Sequence, residues 1–217
     1  MAHKISGLRP PILTARPCAA GNAEYVSVSL EIHLQLTDQP AVVDAAATNA
    51  PSALPTLNSK CKGRVILTPH PGEFRRLGRA LGIQADPTSA ESRTAAAESL
   101  AQRLGCIVVL KGARSVVTDG QRTWVCRRGH PCLGVAGTGD VLAGLIGGLL
   151  AQMEGAGGPA DLFLAACIGV EAHAVAGEQW SFEHQASGGL LATELADLLP
   201  GALEEYRDAA PADDGAH

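Results

Sequence analysis

Short runs of consecutive Val, Ile and Leu recur along the chain, separated by longer stretches in which apolar residues return at helical spacing. Three of these runs lie at residues 41–43, 64–68 and 106–110. A continuous apolar run of this length that ends in a polar or turn residue is typical of a strand buried on both faces of a sheet. The pattern therefore predicts strands of a mostly parallel sheet.

Three further strands are predicted from different signals. The pair Asp119-Gly120 lies between the β-rich runs SVVT and RTWVCR, which is a strong hairpin signal. Earlier in the chain, apolar and polar residues alternate over residues 25–36, which predicts a strand with one exposed face.

Helices are predicted between and after the apolar runs. One follows Gly72 and ends near Gly82, and another runs to about residue 104 with Gly105 as its C-cap. The segment 88–91 begins with Thr and ends with Glu, a capping-box pattern that we expect to open this second helix. The remaining predicted helices cover residues 146–153, 162–178 and 190–199.

Pro200 follows the last of these segments, and we expect it to end that helix. Strands that alternate with helices in this way predict an α/β fold with helices on both faces of the sheet. Ligands of such sheets bind at the carboxyl ends of the strands. Candidate chemistry is therefore sought directly after each apolar run.

Composition indicates one globular domain, since 46% of the 217 residues are hydrophobic and 18% are charged. The formal net charge is −5 and the basic residues are scattered, so no nucleic-acid partner is expected. No apolar run is long enough to span a bilayer, and Pro and Arg interrupt the first 21 residues. We expect a cytoplasmic protein that does not bind membranes.

Six cysteines occur at irregular spacings without a CxxC pair, which indicates buried thiols rather than a disulfide framework. Cys126, His130 and Cys132 come nearest to a metal cluster. We favour the simpler interpretation that a strand and the turn after it happen to carry them.

The motif GTGD, residues 137–140, is the first candidate for catalysis. Its glycines leave backbone N–H groups unshielded at the start of a helix, where donors and dipole favour a phosphate. Asp140 would then take a proton from a substrate hydroxyl while the amides stabilise the transferred phosphoryl group. The alternative is that Asp140 simply caps the helix, which is common.

The motif PHPGE, residues 69–73, follows the second apolar run. Two prolines stiffen the backbone around His70, so its imidazole is held at a strand end where it can contact a polar ligand. Glu73 either caps the following helix or assists at a metal-bound phosphate. A rigid turn with an incidental histidine remains the alternative.

The motif KGARS, residues 111–115, follows the third run. Lys111 can meet a phosphate as a point charge, and the loop amides can hold a nucleotide, although lysines in surface turns are ordinary. Neither a Walker A loop nor a GxGxxG turn occurs in the sequence. His173 lies within an apolar helical pattern, and we interpret it as a satisfied core histidine.

Together these segments resemble the ADP- or ATP-dependent NAD(P)H-hydrate dehydratase family, whose fold is ribokinase-like. The resemblance extends over about residues 40–200. The matching segments are, in order, PAVVDAAATNA, VILTPHPGEFRRL, VVLKGARSVVTDG, GTGDVLAGLIGGLLAQ, AACIGVEAHAVAGE and GGLLATELADLLP.

The resemblance implies an enzyme that restores NADH or NADPH from the hydrated forms, NADHX and NADPHX. ADP or ATP, with Mg²⁺ bridging its phosphates, would phosphorylate the ring hydroxyl, and loss of phosphate would follow. His70 and Asp140 would contact the hydrated cofactor, with Asp140 as the base. The residues implied to hold the nucleotide are Lys111, Gly112, Ala113, Arg114, Ser115 and Gly139. No residue is assigned as a metal ligand, and the family analogy suggests a homo-oligomer.

The sequence departs from the family pattern in places that concern the substrate. Family members begin with a long glycine-rich segment, whereas residues 1–38 here are expected to form an atypical N-terminal segment. Ala46 stands where the family has a second aspartate, and the loop before GTGD reads GHPCLGVA. The expected domains are thus this segment, a ribokinase-like domain at 39–207 and a disordered tail at 208–217.

Two other functions stay open at this point. A ribokinase-like kinase for another small alcohol would keep GTGD, but PHPGE argues against it. A truncated, inactive or merely nucleotide-binding homologue is favoured by the short N-terminal segment and Ala46.

Overall fold

A five-stranded sheet organises the computed structural model, which describes residues 39–44, 61, 63–156 and 159–209. Its strands lie side by side in the order in which they occur along the chain. They are β1 at Ala41–Val43, β2 at Val65–Leu67, β3 at Ile107–Leu110, β4 at Val116–Thr118 and β5 at Thr123–Val125. The predicted strand at residues 25–36 lies outside the described residues, as does Ala46.

Strands β1, β2 and β3 are parallel, as their continuous apolar runs predict, and β4 and β5 add an antiparallel hairpin at one side. The hairpin turn is the predicted one at Asp119-Gly120. Asp119 Oδ1 accepts hydrogen bonds from the N–H groups of Gln121 and Arg122, and Gly120 has φ +89°, a conformation that favours glycine. The described sheet is therefore mixed, with its parallel strands on one side.

Five helices and one short 3₁₀ helix accompany the sheet in the described part of the chain. They are α1 at Pro71–Leu81, α2 at Arg93–Leu104, the 3₁₀ helix at Pro131–Leu133, α3 at Thr138–Gly155, α4 at Leu162–His184 and α5 at Ala192–Ala209. Gly82 and Gly105, both with left-handed φ, are the C-caps of α1 and α2. The predicted C-cap at Gly105 and the predicted helix end near Gly82 are confirmed.

Successive strand residues face opposite layers of helices, which confirms the prediction of helices on both faces. Val43, Leu67 and Val108 pack in a core with α1 and α2, whereas Val42 and Ile66 pack in a core with α3 and α4. A third core joins α3, α4 and α5. Because both faces are covered, the edge formed by the strand ends is where this sheet presents polar groups.

The capping box predicted at residues 88–91 is wrong. Helix α2 begins at Arg93, and its N-cap, Ser92, makes no side-chain capping bond. Thr88 Oγ1 donates to Asp86 Oδ1 at 2.7 Å, and Ser89 Oγ donates to the Glu91 carboxylate at 2.7 Å. These local hydrogen bonds occupy the side chains that the pattern assigned to the helix.

The prediction that Pro200 ends the last helix is also wrong, since α5 continues to Ala209. Proline removes one backbone donor, but the carbonyl it would have served belongs to Ala196, which is exposed, as is Pro200 itself. Leu195 and Ala202, on either side of the proline, are both fully buried in the third core. Packing therefore holds both halves of the helix in place.

Helix α3 begins at Thr138, eight residues before the predicted start at residue 146, so that GTGD itself contributes the first turn. In the part of the chain that the structure describes, no helix combines the length and the apolar character that crossing a membrane requires.

Candidate active site

Three polar side chains that follow the three parallel strands meet at one edge of the sheet. Asp44 Oδ1 accepts a hydrogen bond from Thr68 Oγ1 at 3.0 Å and contacts Lys111 Nζ at the same distance. Thr68 is fully buried, while the side chains of Lys111 and Asp44 are 18% and 15% exposed. An ion pair this sheltered is screened little by solvent, so it fixes the ammonium group at the strand ends.

The N-terminus of α3 lies against the same ammonium group. A Cβ atom on Gly139 would lie 3.1 Å from Lys111 Nζ, so glycine at this position lets the cation approach the first turn closely. Open N–H groups and the helix dipole already make this end positive. Two positive features held together in this way favour an anion between or beside them.

Asp140 lies in that first turn and is half-buried. The N-cap is Gly137, with φ +94°, so the N-cap residue itself makes no side-chain capping bond. The structure therefore does not use Asp140 as the N-cap, which was the alternative to a catalytic role. Its role as a base stays a prediction.

His70 and Glu73 form a capping box at the start of α1. His70 Nδ1 accepts from the N–H of Gly72 at 3.0 Å and, more weakly, from that of Glu73 at 3.4 Å, while Glu73 Oε2 accepts from the His70 N–H at 2.8 Å. A neutral imidazole that accepts through Nδ1 carries its proton on Nε2. The His70 side chain is 52% exposed, and its Nε2 lies 3.4 Å from Glu73 Oε1. Contacts with the start of α1 therefore set the position of the ring, while part of it remains accessible.

Of the two roles considered for Glu73, capping is the one that the structure shows. Its side chain is buried and held by the backbone of His70.

A backbone hydrogen bond joins the His70 loop to the KGARS loop. The Lys111 N–H donates to the Pro69 carbonyl at 2.8 Å, which keeps the two loops side by side after β2 and β3. Within KGARS, Gly112 has φ +143° and Arg114 has φ +60°. Ser115 Oγ donates to the Gly112 carbonyl at 3.1 Å.

Gly112, Ala113 and Arg114 are exposed, so this tight loop presents backbone to solvent beside the cluster.

Sequence reasoning missed Arg93, which lies beneath this loop. Its guanidinium donates to the carbonyl oxygens of Pro87, Leu110 and Lys111 at 2.7 to 2.8 Å. Burial lowers the pKa of Arg93. The one signal in the sequence was a basic residue next to a helix start, where the dipole disfavours a cation.

His173 supports the first turn of α3 from the neighbouring helix. Its Nε2 lies 2.9 Å from the Thr138 carbonyl oxygen, to which a neutral ring with its proton on Nε2 donates. Burial, and then the charge of Lys111, lowers the pKa of His173 to about 4, against the favourable effect of that carbonyl. The interpretation of His173 as a satisfied core histidine is confirmed.

The group at Cys126, His130 and Cys132 is structural. His130 Nδ1 accepts from the Cys132 N–H at 3.3 Å at the start of the 3₁₀ helix, and Cys126 Sγ donates to Glu171 at 3.2 Å. Burial raises the pKa of Cys126 to about 12, so its thiol stays protonated. Within residues 39–44, 61, 63–156 and 159–209, no three potential metal ligands of the His, Cys, Asp and Glu types come together.

Comparison with known proteins decides the family to which this site belongs. A model of the NAD(P)H-hydrate dehydratase family matches residues 21–201. The chain belongs to the NAD(P)H-hydrate dehydratase family. The resemblance that PHPGE, KGARS and GTGD carried is therefore confirmed.

Individual members agree with this assignment. An ADP-dependent (S)-NAD(P)H-hydrate dehydratase of Bacillus subtilis (strain 168) is 38% identical over 176 residues, which is 80% of this chain and 58% of the relative. A crystal structure of the ADP/ATP-dependent NAD(P)H-hydrate dehydratase from B. subtilis, co-crystallised with ATP/Mg²⁺, superimposes with a TM-score of 0.63 at 31% identity. That alignment covers 80% of this chain and 57% of the other.

A ribokinase-like superfamily protein from Enterococcus faecalis V583 shares the fold, with a TM-score of 0.64, 23% identity and coverage of 90% of this chain and 63% of the other. The predicted ribokinase-like α/β fold is confirmed. The chain spans somewhat more than half the length of its dehydratase relative from B. subtilis.

Proposed function

We propose that this chain carries out the nucleotide-dependent dehydration of NADHX or NADPHX, which restores NADH or NADPH. The observation that carries the proposal is the position of Lys111 Nζ, held by Asp44 at 3.0 Å and close to the first turn of α3, which also bears Asp140. A phosphoryl group needs positive charge around it and a base near its acceptor, and this edge of the sheet offers both.

Each residue has a distinct task in the proposed reaction. Asp140 takes the proton from the ring hydroxyl as this oxygen attacks the terminal phosphorus of ADP or ATP. The bond from that phosphorus to its bridging oxygen breaks, and AMP or ADP leaves with the electron pair. Lys111 and the amides around Gly139 stabilise the charge on the transferred phosphoryl oxygens. Phosphate then leaves with its C–O electron pair, and the ring recovers its double bond as it loses a proton.

The remaining residues position the two substrates. His70, fixed through Nδ1 by α1, contacts the hydrated cofactor with the exposed edge of its ring. The loop of Gly112, Ala113, Arg114 and Ser115 follows Lys111 and holds the nucleotide through its exposed backbone.

The site fits Mg²⁺ as a companion of the nucleotide phosphates. Mg²⁺ takes oxygen ligands and often needs only one or two carboxylates when phosphates supply the others. Asp44 and Glu73 each have an oxygen engaged within the protein, at 3.0 and 2.8 Å. Phosphate oxygens and water would therefore supply the ligands of the ion. When bound, the ion would neutralise part of the negative charge of the phosphates.

The test measures recovery of the absorbance band of reduced nicotinamide from NADHX and, separately, from NADPHX. Each is incubated with ADP or ATP and MgCl₂, and Asp140→Asn is the control. We expect recovery with the unaltered chain and no recovery with Asp140→Asn. Recovery no greater than that of the control would overturn the proposal. Thermal stabilisation by ADP without turnover would then identify a nucleotide-binding protein.

We also infer that the protein works in the cytoplasm as a homo-oligomer, without nucleic acid. The analogy with the family supports the assembly. The absence of a basic patch from the sequence supports the lack of nucleic-acid binding. Light scattering of the purified chain tests the homo-oligomer, and a gel-shift assay tests the lack of nucleic-acid binding.

A further inference from the structure

Among the residues that the structure describes, only backbone groups hold Arg93 beneath the KGARS loop. It is the first residue of α2 and is 9% exposed. One terminal nitrogen donates to the Pro87 carbonyl at 2.7 Å, and the other donates to the carbonyls of Leu110 and Lys111 at 2.8 and 2.7 Å. In the part of the chain that the structure describes, no carboxylate pairs with it.

Helix stability does not account for this position. A cation in the first turn of a helix is opposed by the dipole, and burial of an unpaired charge is costly. In addition, Arg93 Nε is buried without a hydrogen-bond partner among the described residues. The placement therefore needs a compensating benefit elsewhere in the molecule.

The benefit lies in the peptide that joins Lys111 to Gly112. A trans peptide is planar, with its C=O and N–H pointing in opposite directions. Because the Lys111 carbonyl points at the Arg93 guanidinium, the Gly112 N–H points away from it, on the exposed side of the loop. Among the described residues nothing accepts a hydrogen bond from this N–H.

Gly112 also lies in close contact with the guanidinium of Arg93. A Cβ atom at this position would lie 2.8 Å from Arg93 Nη2, and the φ of +143° is one that L side chains rarely adopt. Contact between the two residues is thus close enough that a methyl group would displace one of them.

We propose that Arg93 is a positioning residue for the nucleotide. It holds the loop from beneath so that the Gly112 N–H faces a phosphate, and its buried charge, which no acid neutralises in the described chain, attracts the phosphate through the loop. This inference rests on the proposed function, because it takes KGARS to be the nucleotide loop.

The test is calorimetric titration with ADP and MgCl₂ of the full chain and of Arg93→Lys. Lysine keeps the charge but cannot span three carbonyls, so we expect ADP to bind about tenfold more weakly. Arg103→Lys is the matched control, since Arg103 is an exposed residue of the same helix. It should bind ADP like the unaltered chain.

Turnover separates positioning from general damage to the fold. With Arg93→Lys we expect the KM for ADP to rise about tenfold, whereas kcat at saturating ADP and the KM for NADHX change less than about twofold. Unchanged ADP binding would overturn the inference. So would equal losses in kcat and in both KM values, which would indicate a structural role only.

Gly112→Ala keeps the test decisive if Arg93→Lys does not fold. The alanine methyl group would displace the guanidinium and should also weaken ADP binding, and unchanged ADP binding by this variant would overturn the inference. Where Arg93→Lys does fold, the two losses should not add in the double variant. Additive losses would contradict the inference. If the unaltered chain binds no ADP, it is the proposed function that fails.

Discussion

The two edges of the sheet handle charge in different ways. At the carboxyl edge, Lys111 pairs with one carboxylate, and its ammonium group lies close to the positive end of α3. At the amino edge, an open groove of about 370 Å³ is present, yet its cation, Arg122, donates to Asp119 at 2.7 Å and lies 4.4 Å above the ring of Phe163. A cavity is therefore a weaker guide to function here than a cation held beside a helix N-terminus.

The largest expected difference between the edges comes from Asp140→Asn. If Asp140 is the base, the loss of its carboxylate should lower kcat for NADHX by about a thousandfold, in the range typical of general acid–base groups. ADP affinity should change little, because the loop and Lys111 remain. Single-turnover absorbance and calorimetry measure the two quantities. A kcat within tenfold of the unaltered chain would exclude Asp140 as the base.

The carboxyl edge should also be the acid-sensitive one, because of His173. Its folded-state pKa of about 4 lies below the value near 6.5 that it has when unfolded. Between these values the unfolded state binds the proton first, so stability is complete above about pH 6.5 and falls as the pH drops towards 4. The loss should reach about 3 kcal/mol.

Urea unfolding of the unaltered chain and of His173→Gln, followed from pH 7 to pH 4.5, measures this loss. Glutamine can donate to the Thr138 carbonyl but does not titrate, so its stability should change less over this range. Parallel curves for the two proteins would show that other groups cause the acid sensitivity.

A smaller effect is expected from Lys111→Met. The variant removes the charge that meets the phosphate, and ADP affinity should fall about tenfold, the usual cost of one charged hydrogen bond. Asp44 keeps its hydrogen bond from Thr68, so the fold should be retained. Calorimetry measures the affinity, and circular dichroism checks the fold. Unchanged affinity would remove Lys111 from the nucleotide site.

The smallest effect is expected at the other edge, from Arg122→Met. Its side chain is 59% exposed, so its ion pairs are screened by solvent. We expect unchanged kcat and ADP affinity and only a small shift in Tm. A loss of activity like that of Lys111→Met would show that the amino edge takes part in function as the carboxyl edge does.

Features that depend on local pattern were predictable from the sequence. The runs at β1, β2 and β3 are buried on both faces, as their continuous apolar character indicates, and Asp119-Gly120 forms the turn that its residue types favour. PHPGE, KGARS and GTGD lie after two strands and at the start of a helix, as expected.

Features that depend on the fold were not predictable. Polar residues, Asp44 among them, were expected at the carboxyl ends of the strands, but their contacts were not. Asp44 meets Thr68 and Lys111, which are 24 and 67 positions away, because of the parallel register. The capping box predicted at residues 88–91 was wrong because neighbouring polar groups form hydrogen bonds with the same side chains. The prediction that Pro200 ends the last helix was wrong because buried residues on both sides of the proline keep the helix packed. In each case a tertiary or neighbouring contact outweighed a local preference.

The hydrogen bond from the Lys111 N–H to the Pro69 carbonyl has a thermodynamic consequence. It ties the loop proposed for the nucleotide to the loop that carries His70, so occupation of either loop restricts the other. The second ligand to bind then finds its loop with part of the conformational freedom already lost. Hydrated cofactor should therefore raise the affinity for ADP, and linkage requires ADP to raise the affinity for the hydrated cofactor by the same factor.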